Sequence, residues 1–207
     1  MERLDILGNQ LGDSVDLLID VFKKNGRIRT MLGIVEGTTA LDLSKRDLDP
    51  AYVRLLAVEL NSTRATAVVE SLDVSNNHLI GLDEYGDGTE DHAGWDALCK
   101  VLSKSAVKTF KAASTQLNPK ATTTLAAALS IDSKAVLEVL DISGNAITGG
   151  MISYDGSVDF GDDITGITAL SEAMSASKIK NLAISNCGLG PQHNIIITIL
   201  ASTLSTV

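Results

Sequence analysis

A chain of 207 residues, 44% hydrophobic and 3% aromatic, is long enough to form one domain whose core needs neither disulfides nor metal. Its formal charge of -9 lacks the basic excess on which phosphate binding depends, so no nucleic acid is expected as a partner. No apolar run approaches the roughly 20 residues that cross a bilayer, so no membrane span is expected, and the charged opening Met1 to Asp5 is not a signal-type stretch.

The chain therefore reads as soluble and intracellular, in a cytoplasmic, reducing setting, with Cys99 and Cys187 as buried thiols. From the N-terminus, Leu4, Ile6, Asn9 and Leu11 set a pattern that recurs along the whole sequence. Numbered so that Met1 takes slot 1, the pattern places apolar residues at slots 1, 4, 6 and 11 and Asn at slot 9. Gly12 to Lys24 follows with Val15, Leu17, Leu18, Val21 and Phe22 on a helical face and stops at Asn25-Gly26, giving a strand–loop–helix unit.

Met31 stands one repeat after Leu4, but only Val35 to Thr39 separates Ile28–Ile34 from the next strand-like run, Ala40–Ser44. That interval is too short for a helix. Two readings fit, a hairpin or a stunted repeat, and the hairpin is preferred for residues 27–44. Leu41, Leu43 and Leu48 resume the pattern with Arg46 at the Asn slot, and Asp49-Pro50 opens a helix with its cap and its first residue.

Val69, Leu72, Val74, Asn77 and Leu79 fill every slot, after which an insertion (residues 81–94) precedes a helix from Trp95 to Ser103. Val107, Phe110, Ala112 and Leu117 follow with Thr115 at the Asn slot, then a helix from Pro119 to Ser130. Leu137, Leu140, Ile142, Asn145 and Ile147 form the clearest copy; a second insertion (residues 149–166) separates it from a helix over Ile167 to Ala176. The last unit has Ile179, Leu182, Ile184, Cys187 and Leu189, then a helix from about Pro191. Where no insertion intervenes, units are about 27 to 31 residues apart, as from Leu4 to Met31, Leu41 to Leu72 and Phe110 to Leu140.

Strands and helices of this length cannot bury an apolar face alone, so such units gain stability by stacking on their neighbours. Slots 4 and 6 alternate with polar residues, as a half-buried strand requires. Asn carries both a donor and an acceptor for the backbone groups that lose their partners where a strand turns towards its helix. Asn9, Asn77 and Asn145 are thus expected to form a structural ladder, with Cys187 donating in the last unit and Arg46 and Thr115 interrupting it.

The runs Leu72 to Leu79 and Leu140 to Ile147, with the helices Leu125 to Leu129 and Leu170 to Met174, resemble the leucine-rich repeat family, in its ribonuclease-inhibitor-like class of intracellular proteins. The resemblance covers essentially the whole chain. It implies an α/β fold in a single domain over residues 1–207: a leucine-rich repeat solenoid of about six repeats, with a curved parallel sheet on the concave side and helices on the convex side. It also implies a non-catalytic protein–protein interaction module or scaffold. Within the family the alternatives are a ligand-sensing or regulatory domain of an immune or signalling protein, and a GTPase-activating regulator, for which Arg46 is the candidate arginine.

Slots 3, 5 and 7 of such a sheet point away from the helices. Asp5, Asp42, Asp73, Lys111 and Asp141 then form an acidic stripe interrupted by one lysine, flanked by Ser44, Ser75 and Ser143. Two readings fit: a docking face for a basic partner protein, within a multi-subunit assembly, or the common wording of the repeat, with each Asp bonded locally. The insertions add Asp83, Glu84, Tyr85, Asp87, Tyr154, Asp155, Asp159 and Phe160 as partner-contact candidates.

Their carboxylates are dense enough to suggest calcium, but Asp83 to Gly88 has no acid at loop position 3 and no Glu follows at position 12, so no metal site is assigned. His78, His92 and His193 do not converge with a nucleophile, and no phosphate-cradling motif occurs, so neither catalysis nor a cofactor is expected. Trp95 and Phe110 read as core. Ile195, Ile196, Ile197, Ile199, Leu200 and Leu204 exceed what one buried helix face needs, so further residues or another chain is expected to cover the C-terminal end.

Overall fold

The computed structural model describes residues 2–62, 64, 68–83, 86–130, 134–150 and 160–190. It is an α/β fold built on a parallel sheet of five three-residue strands in sequence order: β1 (Ala40–Asp42), β2 (Ser71–Asp73), β3 (Thr109–Lys111), β4 (Val139–Asp141) and β5 (Asn181–Ala183). Among the described residues five α-helices accompany it: α1 (Val15–Lys24), α2 (Pro50–Ser62), α3 (Ala93–Leu102), α4 (Pro119–Leu129) and α5 (Thr165–Met174). One helix follows each of β1 to β4. The register aligns Leu41, Leu72, Phe110, Leu140 and Leu182 across the sheet, the slot-4 residues of the sequence pattern.

Burial explains why so short a strand suffices. The central residue of β1 to β4 is buried while its neighbours are exposed or half-buried, so each strand commits one large side chain to the helix side. Each such side chain is worth about 1.5–3 kcal/mol on burial. Trp95 and Phe110 lie in this core as expected, both fully buried, with ring centroids 6.2 Å apart.

After each strand the chain turns in the same way. Gly8, Lys45, Asn76, Ser114, Gly144 and Asn186 occupy slot 8, and all six have φ between 53° and 78°. A left-handed residue at this one place lets the chain leave the strand direction towards the helices. The following turn alternates between two forms. Where slot 9 is Arg46, Thr115 or Cys187, slot 10 is also left-handed (Asp47, Gln116 and Gly188). Where slot 9 is Asn77 or Asn145, a left-handed glycine comes later instead, Gly81 or Gly149, and an insertion begins.

The alternation extends to the helices. Pro50 and Pro119 open α2 and α4, which follow directly on the first kind of turn. The helices α3 and α5 after the insertions carry Gly94 and Gly166 against Pro50 and Pro119 respectively, where an added Cβ would collide with the proline carbonyl oxygen.

The segment 27–44 is not the expected hairpin. Arg29 N donates to Glu2 O (2.7 Å), Leu4 N to Thr30 O (3.0 Å) and Gly33 N to Leu4 O (2.9 Å), so the segment pairs with the N-terminal residues, starting parallel at Arg3 and Thr30. Among the described residues no backbone hydrogen bond joins residues 27–34 to Ala40–Leu43. The physical reason lies in α2. Glu59, 1% exposed, accepts from Met31 N (2.5 Å), Leu32 N (3.0 Å) and the Thr30 hydroxyl (2.8 Å), taking the donors that a hairpin partner would use. The helix expected from Pro191 onwards, and Met1 in its slot, lie outside the described residues.

Candidate functional site

The outward face of the sheet places the slot-5 residues in one row: Asp42, Asp73, Lys111, Asp141 and Ala183 are register partners across β1 to β5. Asp5 occupies the same slot on the N-terminal segment. Each Asp also has a local task, accepting the backbone N–H two residues on: Leu7 (3.2 Å), Ser44 (2.9 Å), Ser75 (3.0 Å) and Ser143 (3.0 Å). Hydrogen bonds from Ser44 hold the Asp42 carboxyl below the usual carboxylate range.

Where slot 5 has no carboxylate, the neighbouring serine takes over. Ser75 Oγ accepts from Ala113 N (3.1 Å) and Ser143 Oγ from Ser185 N (3.2 Å). The row is thus both a charged surface and a device that satisfies the strand ends. Lys111 sits 3.7 Å from Asp73. Asp5, Asp42 and Asp141 have no cation within ion-pair distance among the described residues.

The asparagines act across units. Asn77, 2% exposed, accepts from Arg46 N (3.0 Å) and Leu48 N (2.9 Å) and donates to Leu43 O (2.9 Å) and Val74 O (2.8 Å). Asn145 repeats this on Thr115 N (2.9 Å), Leu117 N (3.0 Å), Ala112 O (2.8 Å) and Ile142 O (2.8 Å). The turns at Arg46 and Thr115, which lack their own Asn, are therefore completed by the Asn of the next unit. Cys187 donates to Ile142 O at 3.2 Å.

Asn9 differs from the ladder expected for it. It is exposed and its side chain donates to Ile6 O (2.9 Å) within its own turn. The hydroxyl of Tyr52, from α2, lies at 2.7 Å from Ile6 O and Asn9 O and accepts from Asn9 N at 2.8 Å.

In the first insertion, Asp83 Oδ1 accepts from Asp87 N (2.9 Å) and closes the loop on itself. Asp91 accepts from Ala93 N (2.8 Å) at the start of α3, as Asp163 does from Thr165 N (2.9 Å) at the start of α5. Glu90 Oε1 meets His92 Nε2 at 2.5 Å and Asn118 Nδ2 at 3.1 Å. Asn118 also caps α4 through Ala121 N (3.0 Å), so the insertion is moored to the next helix. Phe160 is exposed at the start of the described part of the second insertion. Glu84, Tyr85, Tyr154, Asp155 and Asp159 lie outside the described residues. Among the described residues no group of three His, Cys, Asp or Glu side chains is placed to hold a metal ion, and no helix is long and apolar enough to cross a membrane.

The interruption between the 30–34 segment and β1 leaves a cleft of about 790 Å³ on the outward face. Leu32–Val35 lie on one side and Ala40–Leu43 on the other; Arg3, Asp5, Lys45, Arg46 and Asp47 complete it. Sequence reasoning found Asp5, Asp42 and Arg46 but missed the concavity, because Glu59, which creates it, reads as one polar residue in an apolar helix.

No protein-family model matches this chain, and no curated protein does. The fold is similar to that of the solved structure described as "Leiomodin-1 Actin-Binding Site 2 (ABS2)", with a TM-score of 0.53 over 96% of this chain and 92% of that one at 10% sequence identity. That likeness is one of fold.

Proposed function

We propose that the chain is a repeat solenoid of the leucine-rich type, with six strand-and-turn units, and that it acts as a non-catalytic module binding a partner protein. Three features support the solenoid: the in-register slot-4 residues, the left-handed residue at slot 8 of all six turns, and the fold-level likeness over 96% of the chain.

The observation that carries the binding reading is the row of aspartates on the outward face. Among the described residues Asp5, Asp42 and Asp141 have no cation at ion-pair distance, and the cleft opens beside the first two. A surface of uncompensated carboxylates steers and selects a partner with a complementary basic surface. The test uses the immobilised full chain and an Asp42→Lys/Asp141→Lys variant in native extract. A protein retained by the first and lost from the second, with retention falling as salt rises, supports the reading. Identical retention by both overturns it.

A further inference from the structure

β1 has one paired edge and one free edge. Thr39 O accepts from Ser71 N at 3.0 Å and Leu43 N donates to Asp73 O at 2.8 Å. Hydrogen-bonding direction alternates along a strand, so Ala40 and Asp42 turn their N–H and C=O groups away from β2. Among the described residues no backbone hydrogen bond meets them there.

This is not the outer end of the molecule, because Leu32–Val35 lie across the cleft from that edge. The two walls do not pair. On the far wall, Met31 and Leu32 give their N–H groups to Glu59, and Ile34 gives its own to Thr30 Oγ1 at 3.1 Å. The cleft of about 790 Å³ is within the roughly 300–1,000 Å³ typical of ligand clefts. Its near wall offers an alternation of donor and acceptor that extended polypeptide matches.

The charges lining the cleft define the occupant further. Among the described residues Asp5 and Asp42, both on its lining, have no cation at ion-pair distance, and the exposed Arg3, Lys45 and Arg46 have no carboxylate within that distance.

We propose that the cleft receives an extended peptide segment of a partner protein, which adds to the free edge of β1 as a further strand. A basic side chain of that segment lies opposite Asp5 and Asp42, and an acidic one opposite Lys45 and Arg46. The inference rests on the protein-binding reading above and names the partner's chemistry.

The test pans a displayed library of random-sequence peptides on the full chain and synthesises the peptides that bind. Strand addition slows amide exchange at Ala40 and Asp42 and leaves Val139 and Asp141 unchanged. Methylating alternate peptide nitrogens abolishes binding in one register and spares the other. Ala40→Pro removes an outward N–H that an edge strand can spare and weakens binding by about tenfold, the loss of one hydrogen bond. Should Ala40→Pro fail to fold, the methylated peptides still decide. Failure to select any binder, binding that tolerates methylation in both registers, or protection confined to other strands overturns the proposal. A partner lost on Asp42→Lys/Asp141→Lys that leaves the Ala40 amide unprotected overturns strand addition alone and leaves protein binding standing.

Discussion

The carboxylate of Glu59 on α2 accepts the hydroxyl of Thr30 at 2.8 Å from a site 1% exposed to solvent. That contact, with the two backbone N–H groups beside it, diverts the 30–34 segment from β1 and opens the cleft. Glu59→Ala leaves the N–H of Met31 buried without an acceptor and takes from Leu32 N the shorter of its two, Thr30 Oγ1 remaining at 3.2 Å. It is expected to cost about 2 kcal/mol, within the roughly 1–3 of one orphaned buried donor. Denaturant unfolding followed by the emission of Trp95, the single tryptophan, measures it.

Burial raises the pKa of Glu59 above its ordinary 4.5, although the hydrogen bonds it accepts oppose the shift. A carboxyl whose folded value is raised favours the fold while protonated. Its contribution is therefore fully present below 4.5, the unfolded value, and is lost as pH rises through the folded value. Glu59→Gln, which stays neutral, carries no such dependence, so the margin, the stability of the parent minus that of the variant, is expected to be largest in acid and to fall towards neutrality. Stability curves of the two proteins across that range test the sign; a margin that widens with pH refutes it.

Asn145→Ala removes the acceptor of Thr115 N and Leu117 N and the donor to Ala112 O and Ile142 O. A loss of about 3 kcal/mol is expected from these buried orphans. Cys187→Ser keeps a donor at the corresponding place and is expected to change stability by less than about 1 kcal/mol. Unfolding midpoints at unchanged denaturant slope distinguish the two cases.

Helical glycine to alanine ordinarily stabilises a protein by up to about 1 kcal/mol. Gly166→Ala is expected to do the reverse, because the new Cβ would lie 2.5 Å from Pro119 O and 2.9 Å from Thr122 Cβ. Overpacking of this kind costs about 1–3 kcal/mol. A melting temperature above that of the parent would contradict the close approach of α4 and α5.

The strands and the two buried asparagines were legible in the sequence because their pattern is local: apolar residues at fixed intervals, with an amide two positions before the last. Trp95 was legible as core for the same reason. The slot-8 turn was not, since Gly8, Lys45, Asn76, Ser114, Gly144 and Asn186 share a backbone angle and no common side-chain chemistry. The hairpin expectation failed because the partner of the 30–34 segment is chosen by Glu59, about one repeat further on, and no spacing rule reports a buried carboxylate. The aspartate row was found, but its bonds to Ser44, Ser75 and Ser143 give it a part in the fold as well as on the surface.

The alternation of turns has a consequence for how this molecule tolerates changes of length. All three prolines of the chain, Pro50, Pro119 and Pro191, stand nine positions after the slot-4 residues Leu41, Phe110 and Leu182, skipping a unit each time. Excising a proline-led unit would set two looped ones side by side, and excising a looped one would set two proline-led ones together with no amide to reach back to the turn awaiting it. The segment that can be removed or duplicated without a mismatched seam is the pair, the 69 positions from Leu41 to Phe110.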